Sequence, residues 1–346
     1  MRGKKVKIYK RRAIQSIYLC ILCVLMLFEH VAYRTDMKTV TVAADGSDYI
    51  KWIDFDITAQ ALADAVKFDV DSYGSDTHVS HITLLSLLAV KYGGSFKSYK
   101  KSDMQSFYDR LCTGESPEDI TNNTKTLNYY LKAYSAVLGG MVGEYAVITD
   151  REKDGVFYQK RYGLKLFSPI AGGYYYNHYD DFGAARSFGY KRVHLGHDMM
   201  GSVGTPIIAV ESGYVEACGW NRFGGWRIGI RSFDGKRYYY YAHLRKGHPY
   251  NDIYEGKIIN AGEVIGYLGM TGYSSKQDTN NINVPHLHFG LQIIFDSSQK
   301  DGWNQIWLDM YEFTKFLAKN RADIAYSKDT GEHYSKNSII DLSSPD

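Results

Sequence analysis

The chain has 346 residues, enough for about two domains of ordinary size, with 45% hydrophobic and 23% charged residues and only six prolines. That composition excludes disordered, collagenous and disulfide-scaffold proteins. The net charge of +3 is concentrated at the start: removing Arg2, Lys4, Lys5, Lys7, Lys10, Arg11 and Arg12 from 41 basic residues leaves 34 against 38 acidic ones, so no basic face for nucleic acid is expected.

Residues 1–12 read as a basic cytoplasmic tail. They run into the apolar stretch Ile17 to Phe28, and residues 13–33 together reach the length of a membrane helix. The cations in front predict a transmembrane anchor with the bulk of the chain outside. The alternative is a signal peptide and secretion after cleavage, although the nearest small-residue site, Thr41-Val42-Ala43, lies far downstream. Cys20 and Cys23 fall inside this run and read as bilayer-facing thiols, which leaves Cys112 and Cys218 with room for one bridge. Residues 34–50 read as a polar linker.

A helical domain over 51–150 follows. Leu62, Ala65, Val66 and Val70 keep helical spacing within Thr58 to Tyr73, and Ser80 to Tyr92 is leucine-rich and ends at Gly93-Gly94. Asp103 can cap a third helix stopped by Gly114. A fourth, from Thr126, carries Leu127, Tyr130, Leu131, Tyr134 and Leu138. No catalytic constellation lies here, Glu144 reading as a solvated residue. The Leu and Tyr stripes read as core, with a regulatory partner surface or a groove-occluding element as the alternative.

Glycine punctuation and alternating strands begin near Phe167. Strand-like runs cover 206–210, 213–217, 226–231, 264–268 and 286–294. Asp234-Gly235 signals a hairpin between Ile228–Ser232 and Arg237–Tyr241. The pattern predicts an antiparallel β domain over 165–320, closed by a helix from Ile306 to about Lys319, and a loosely ordered polar tail over 321–346. The expected fold class is α+β multidomain: a membrane helix, a small all-α domain and an antiparallel sheet.

Seven of the eleven histidines lie between positions 178 and 288. His286 and His288, two apart on a strand, project from one face. His194-Leu195-Gly196-His197-Asp198 offers an imidazole and a carboxylate four apart, with Gly196 free to turn between them, and Tyr241-Ala242-His243 brings a further histidine. Two imidazoles and a carboxylate suit a catalytic zinc with a fourth position for water, and the missing cysteines exclude thiolate sites.

The stretch from His194 to Gly290 resembles the M23 family of zinc metallopeptidases, the lysostaphin-like or LytM-like peptidoglycan endopeptidases. The shared pattern is Ser187-Phe188-Gly189-Tyr190, His194-x-x-x-Asp198, Gly204-Thr205-Pro206, Ser212-Gly213-Tyr214-Val215, Tyr241-Ala242-His243-Leu244, Gly262 to Gly269, Thr271-Gly272 and Pro285-His286-Leu287-His288-Phe289. The resemblance implies that His194, Asp198 and His288 bind one Zn2+ and that His243 and His286 are catalytic. His286 would then be the general base and His243 the oxyanion donor. Two departures are visible: Gly290 stands where an acidic residue is frequent, and Ser274 to Val284 is longer than the common link. His197 reads as a groove or supporting residue, while His178 and His248 read as structural.

The implied function is zinc-dependent hydrolysis of peptide bonds in bacterial peptidoglycan stem peptides or crosslinks, by a single-pass protein of the bacterial cell membrane. The alternative is a catalytically silent M23-like protein that binds or scaffolds the cell wall. No H-E-x-x-H helix is present to support the common zincin plan.

Overall fold

The computed structural model describes residues 40–42, 48–152, 155–187, 191–300 and 304–343. The expected tail 1–12, the apolar segment 13–33, Cys20, Cys23 and Phe188-Gly189-Tyr190 lie outside the described residues. Among the described residues, no helix is long and apolar enough to cross a membrane. The chain divides into two compact units, Met1–Trp52 and Ile53–Asp346. In the first, β1 (Val40–Val42) pairs antiparallel with β2 (Asp48–Ile50), so the segment read as a linker contains regular structure; Val40-Thr41-Val42 has the β-branched composition that favours it.

The second unit opens with α1 (Ala59–Ser72), α2 (His81–Tyr92), α3 (Lys101–Cys112), the short α4 (Pro117–Ile120) and α5 (Thr124–Leu138). Side chains cap most of them: Thr58 accepts from Ala61, Ser80 from Ile82 and Asn123 from Thr126, each satisfying an otherwise unpaired N–H. Asp103 is not a cap. It lies inside α3, accepting from the Tyr92 hydroxyl at 2.6 Å and pairing with Lys91 at 2.8 Å. Leu62, Leu84, Leu85, Tyr130 and Tyr134 are fully buried, so the leucine and tyrosine stripes are core. Cys112 and Cys218 are free thiols, so no bridge joins them.

β3 (Val142–Glu152) and β4 (Gly155–Leu164) follow as a long antiparallel pair. The central sheet runs β13 (Ile258–Ile259), β10 (Gly213–Asn221), β11 (Gly225–Ser232), β12 (Arg237–Ala242), β15 (His286–Ile293), β8 (His197–Met200) and β5 (Asn177–His178), all neighbours antiparallel. Alternation divides it into two faces. Ile228, Ile230, Tyr239, Tyr241, Leu287, Phe289, Leu291 and Ile293 are at most 1% exposed and form the core face. Arg227, Arg231, Tyr238, Tyr240, His286, His288 and Gln292 line a cleft on the other face. The pairs β6 (Ala185–Ser187) with β7 (Lys191–Val193), and β9 (Pro206–Ile208) with β14 (Val264–Tyr267), flank it.

Three expectations are corrected here. Ile306 does not start a helix: β16 (Ile306–Trp307) adds to β15, which satisfies backbone groups there, and α6 is limited to Tyr311–Leu317. The carboxy-terminal stretch is not a loose tail. β17 (Ile324–Tyr326) pairs with β18 (His333–Ser335), β19 (Ile340–Asp341) adds to β3, and Ala322 and Ile339 join Phe167, Ile208 and Val264 in one buried cluster. Finally, the helical segment does not form a body separate from the sheet. Arg237 Nη1 donates to Ala136 O at 2.7 Å, Ala59 N–H donates to Glu312 Oε2 at 2.7 Å, and the Phe55 ring meets both Tyr134 and Phe313.

Candidate active site

β8 and β15 lie side by side with His288 opposite Asp198. His194, just before β8, completes the cluster. His194 Nε2, Asp198 Oδ1 and His288 Nδ1 form a triangle with sides of 3.1, 3.0 and 3.0 Å. The group could hold a metal ion. Zinc bonds of about 2.0–2.2 Å in tetrahedral directions place donor atoms about 3.3–3.6 Å apart, so the N/N/O donor set fits that ion and the spacing fits it after the three atoms part by a few tenths of an ångström. His194 Nδ1 lies 3.1 Å from both Asp181 O and Asp181 Oδ2. Both of these atoms only accept, so the proton sits on Nδ1 and the Nε2 lone pair faces the cluster.

Burial opposes ionisation of Asp198, but its close polar contacts with the His194 and His288 rings outweigh it and hold its carboxyl well below the usual carboxylate range. His288 is shifted the other way, its proton affinity lowered chiefly by burial. Arg186 reaches Asp181 at 2.7 Å and the second Asp198 oxygen at 3.5 Å. Asp181 and Arg186 were not singled out from sequence, and no spacing signal marks them, because the fold alone brings Asp181 to His194.

Gly196 lies at the bend before β8, as expected, and its lack of a side chain has a second use. A Cβ there would meet His288 Cε1 at 2.4 Å, so the missing side chain makes room for the His288 ring. The unusual Gly290 has a similar cause: a Cβ would come within 2.7 Å of the Trp307 ring, which lies across the sheet at that point.

His243 and His286 stand beside the cluster, their ring centroids 4.8 Å apart, and the His286 Nε2 atom is 3.7 Å from Asp198 Oδ1. His286 Nδ1 donates to Val284 O and His243 Nδ1 to Thr271 O, each at 2.8 Å. His243 leaves β12 with φ of 62°, a left-handed conformation that costs a non-glycine residue about 1–3 kcal/mol. Its N–H bond to Gly224 O at 2.7 Å and the Leu244 bond to Trp226 O hold it there. Burial, then the charges of His286 and His288, push its proton affinity far down.

His197 does not face the cleft. It alternates away from Asp198 to bond His178 at 2.8 Å and contact Tyr311, and burial lowers its pKa to about 3. His248 pairs with Glu332 and does not line the cleft. The cleft itself has a volume of about 1080 Å³, and Tyr273, Asn281, Ile282 and Asn283 of the long 274–284 link and its approach form part of its wall.

Residues 192–301 match peptidase family M23. An L-Ala–D-Glu endopeptidase of Bacillus subtilis is 42% identical over 119 residues, 34% of this chain and 34% of its own length. Lysostaphin of Staphylococcus simulans is 39% identical over 98 residues, 28% of this chain and 17% of its own. The chain thus spans about a third or less of the length of these curated relatives. A crystal structure from Ruminococcus gnavus, provisionally assigned as a glycyl-glycine endopeptidase, shares the fold with a TM-score of 0.50 at 22% identity, covering 79% of this chain and 94% of that one. The family match takes in β8 and β15 and every histidine that meets at their junction, and residues 192–301 are accordingly a peptidase family M23 domain.

Proposed function

We propose that the chain is a zinc-dependent endopeptidase that cuts peptide bonds of bacterial peptidoglycan, with His194, Asp198 and His288 holding the metal. The observation that carries this reading is the triangle of two imidazole nitrogens and a carboxylate oxygen, with the donor atoms 3.0–3.1 Å apart, at the base of a cleft wide enough for a peptide. Zinc bound there would supply a Lewis acid that polarises the scissile carbonyl and acidifies the attacking water.

The residues around the cluster supply the proton transfers. His286 has its Nδ1–H committed to Val284 O, so Nε2 presents a lone pair to the cleft. That atom takes a proton from water and returns it to the leaving amine. His243 is committed in the same way to Thr271 O. The neutral ring therefore carries no N–H toward the cleft, and the oxyanion-donor role expected from sequence is open to it only after it accepts a proton. Burial opposes that protonation, so we assign His243 Nε2 as a hydrogen-bond acceptor that orients the attacking water beside His286. The basic start and the apolar segment 13–33 support an extracytoplasmic, membrane-tethered placement.

The test is loss of turbidity of purified cell walls. Lysis should stop when a chelator strips the protein and return with added zinc. Full lysis by metal-free protein would contradict the proposal.

A further inference from the structure

Among the described residues, the cleft is lined by five cationic side chains, Arg186, Arg192, Arg227, Arg231 and Lys300, against two carboxylates, Asp198 and Glu216. Most of these charges are already engaged. Glu216 is shared between Arg231, at 2.5 Å, and Lys300. Arg186 bonds Asp181, and Arg192 lies over the Tyr273 ring at 4.6 Å. The Arg227 guanidinium is different: among the described residues it has no hydrogen-bond or ion-pair partner.

Its position is defined by the sheet. Arg227 is one residue beyond the Ile228–Tyr241 pair and so level with Ala242, which pairs with His288. Two strand spacings place its Cα about 10 Å from that of His288. It alternates onto the cleft face with Arg231; burial raises the pKa of Tyr238 and Tyr240 there, and the nearby Arg227 charge partly opposes that rise. An extended peptide advances about 3.3 Å per residue, so a group held by Arg227 belongs to a residue within about three of the bond cut at the cluster.

We propose that Arg227 binds a carboxylate of the substrate peptide, so that the cleft selects an anionic peptide segment over a neutral one such as a chain of glycines. A half-buried guanidinium that lines the cleft without a partner among the described residues matches a carboxylate in shape and charge. The inference rests on the endopeptidase reading for the bond cut, but recognition of the carboxylate is separable from cutting.

The test uses the zinc-loaded full chain and two peptidoglycan stem peptides that differ only in whether the glutamate α-carboxylate is free or amidated. The free acid should be favoured in kcat/KM by about 10- to 100-fold, the usual worth of a hydrogen bond to a charged group. In Arg227→Gln the ratio should fall to about one. Arg227→Lys, which keeps the charge and loses the fork, should retain part of it. A wild-type ratio near one, or an unchanged ratio in Arg227→Gln, would overturn the proposal, and the wild-type comparison needs no variant to fold. Dissociation constants of the same peptides, measured on the His286→Ala chain, should show the same preference. Preferential binding without cleavage of either peptide would remove the endopeptidase reading and leave this one standing; cleavage without preference would do the reverse.

Discussion

Three of the four imidazoles in the cleft have one nitrogen committed to a neighbour outside the cluster, and that commitment decides what each ring can do. His194 gives Nδ1–H to Asp181 and turns a lone pair to the cluster; His286 and His243 give theirs to backbone carbonyls and turn lone pairs to the open cleft. The strand period makes His286 and His288 equivalent, but their partners do not. His288→Ala removes one of three candidate metal bonds, so zinc content and turnover should fall together. His286→Ala should keep its zinc while turnover falls by about 10² to 10⁴, the usual worth of a positioned base. His243→Ala should behave like His286→Ala, with a loss of about 10². Metal content and turnover on the three purified variants check this, and equal zinc loss in the His286 and His288 variants would contradict it. The five site residues could be picked from sequence because local spacing places them. Their orienting partners, Asp181, Val284 O and Thr271 O, could not, because two of the three are backbone atoms and Asp181 approaches only through the fold.

At the scale of elements, strand and helix existence was legible wherever the apolar period was strong, as in α1, α2, α5, β11, β12 and β15. It failed where a short segment is recruited by a neighbour. β16 exists because β15 offers it a backbone edge, and β19 exists because β3 does; neither segment carries a pattern of its own. β19 also contributes Asp341, whose carboxylate meets Lys165 at 2.8 Å with both side chains at most 10% exposed. Burial alone would raise the Asp341 pKa, but the hydrogen bonds from Lys165 and Ser343 outweigh it and depress it. A depressed carboxylate stabilises the fold fully above the ordinary carboxylate range, and that contribution is lost as pH falls towards the depressed value. Asp341→Ala strands a buried ammonium and should destabilise the protein by about 3–5 kcal/mol at neutral pH. Thermal unfolding from pH 7 to pH 3 would show the gap between variant and wild type closing on acidification. A gap that stays constant would contradict the pairing.

At the scale of the whole molecule, the sequence divides more readily than the structure does. A change of texture near Phe167 suggests two domains, yet Arg237, bound to Glu211 by two hydrogen bonds in the sheet, also reaches the carbonyl of Ala136 on α5. Contacts of this kind join residues a hundred positions apart and leave no periodic trace. What was legible is the cluster at the centre, because its five candidate residues fall on β8 and β15, just before β8 and just after β12, where short local spacings mark them. The most direct measurement is mass spectrometry of defined crosslinked muropeptides after incubation with the zinc-loaded chain. The account predicts products that differ from substrate by one water across a peptide bond, absent when zinc is removed and sharply reduced in His286→Ala; intact peptides, or cleavage confined to the glycan strand, would contradict it.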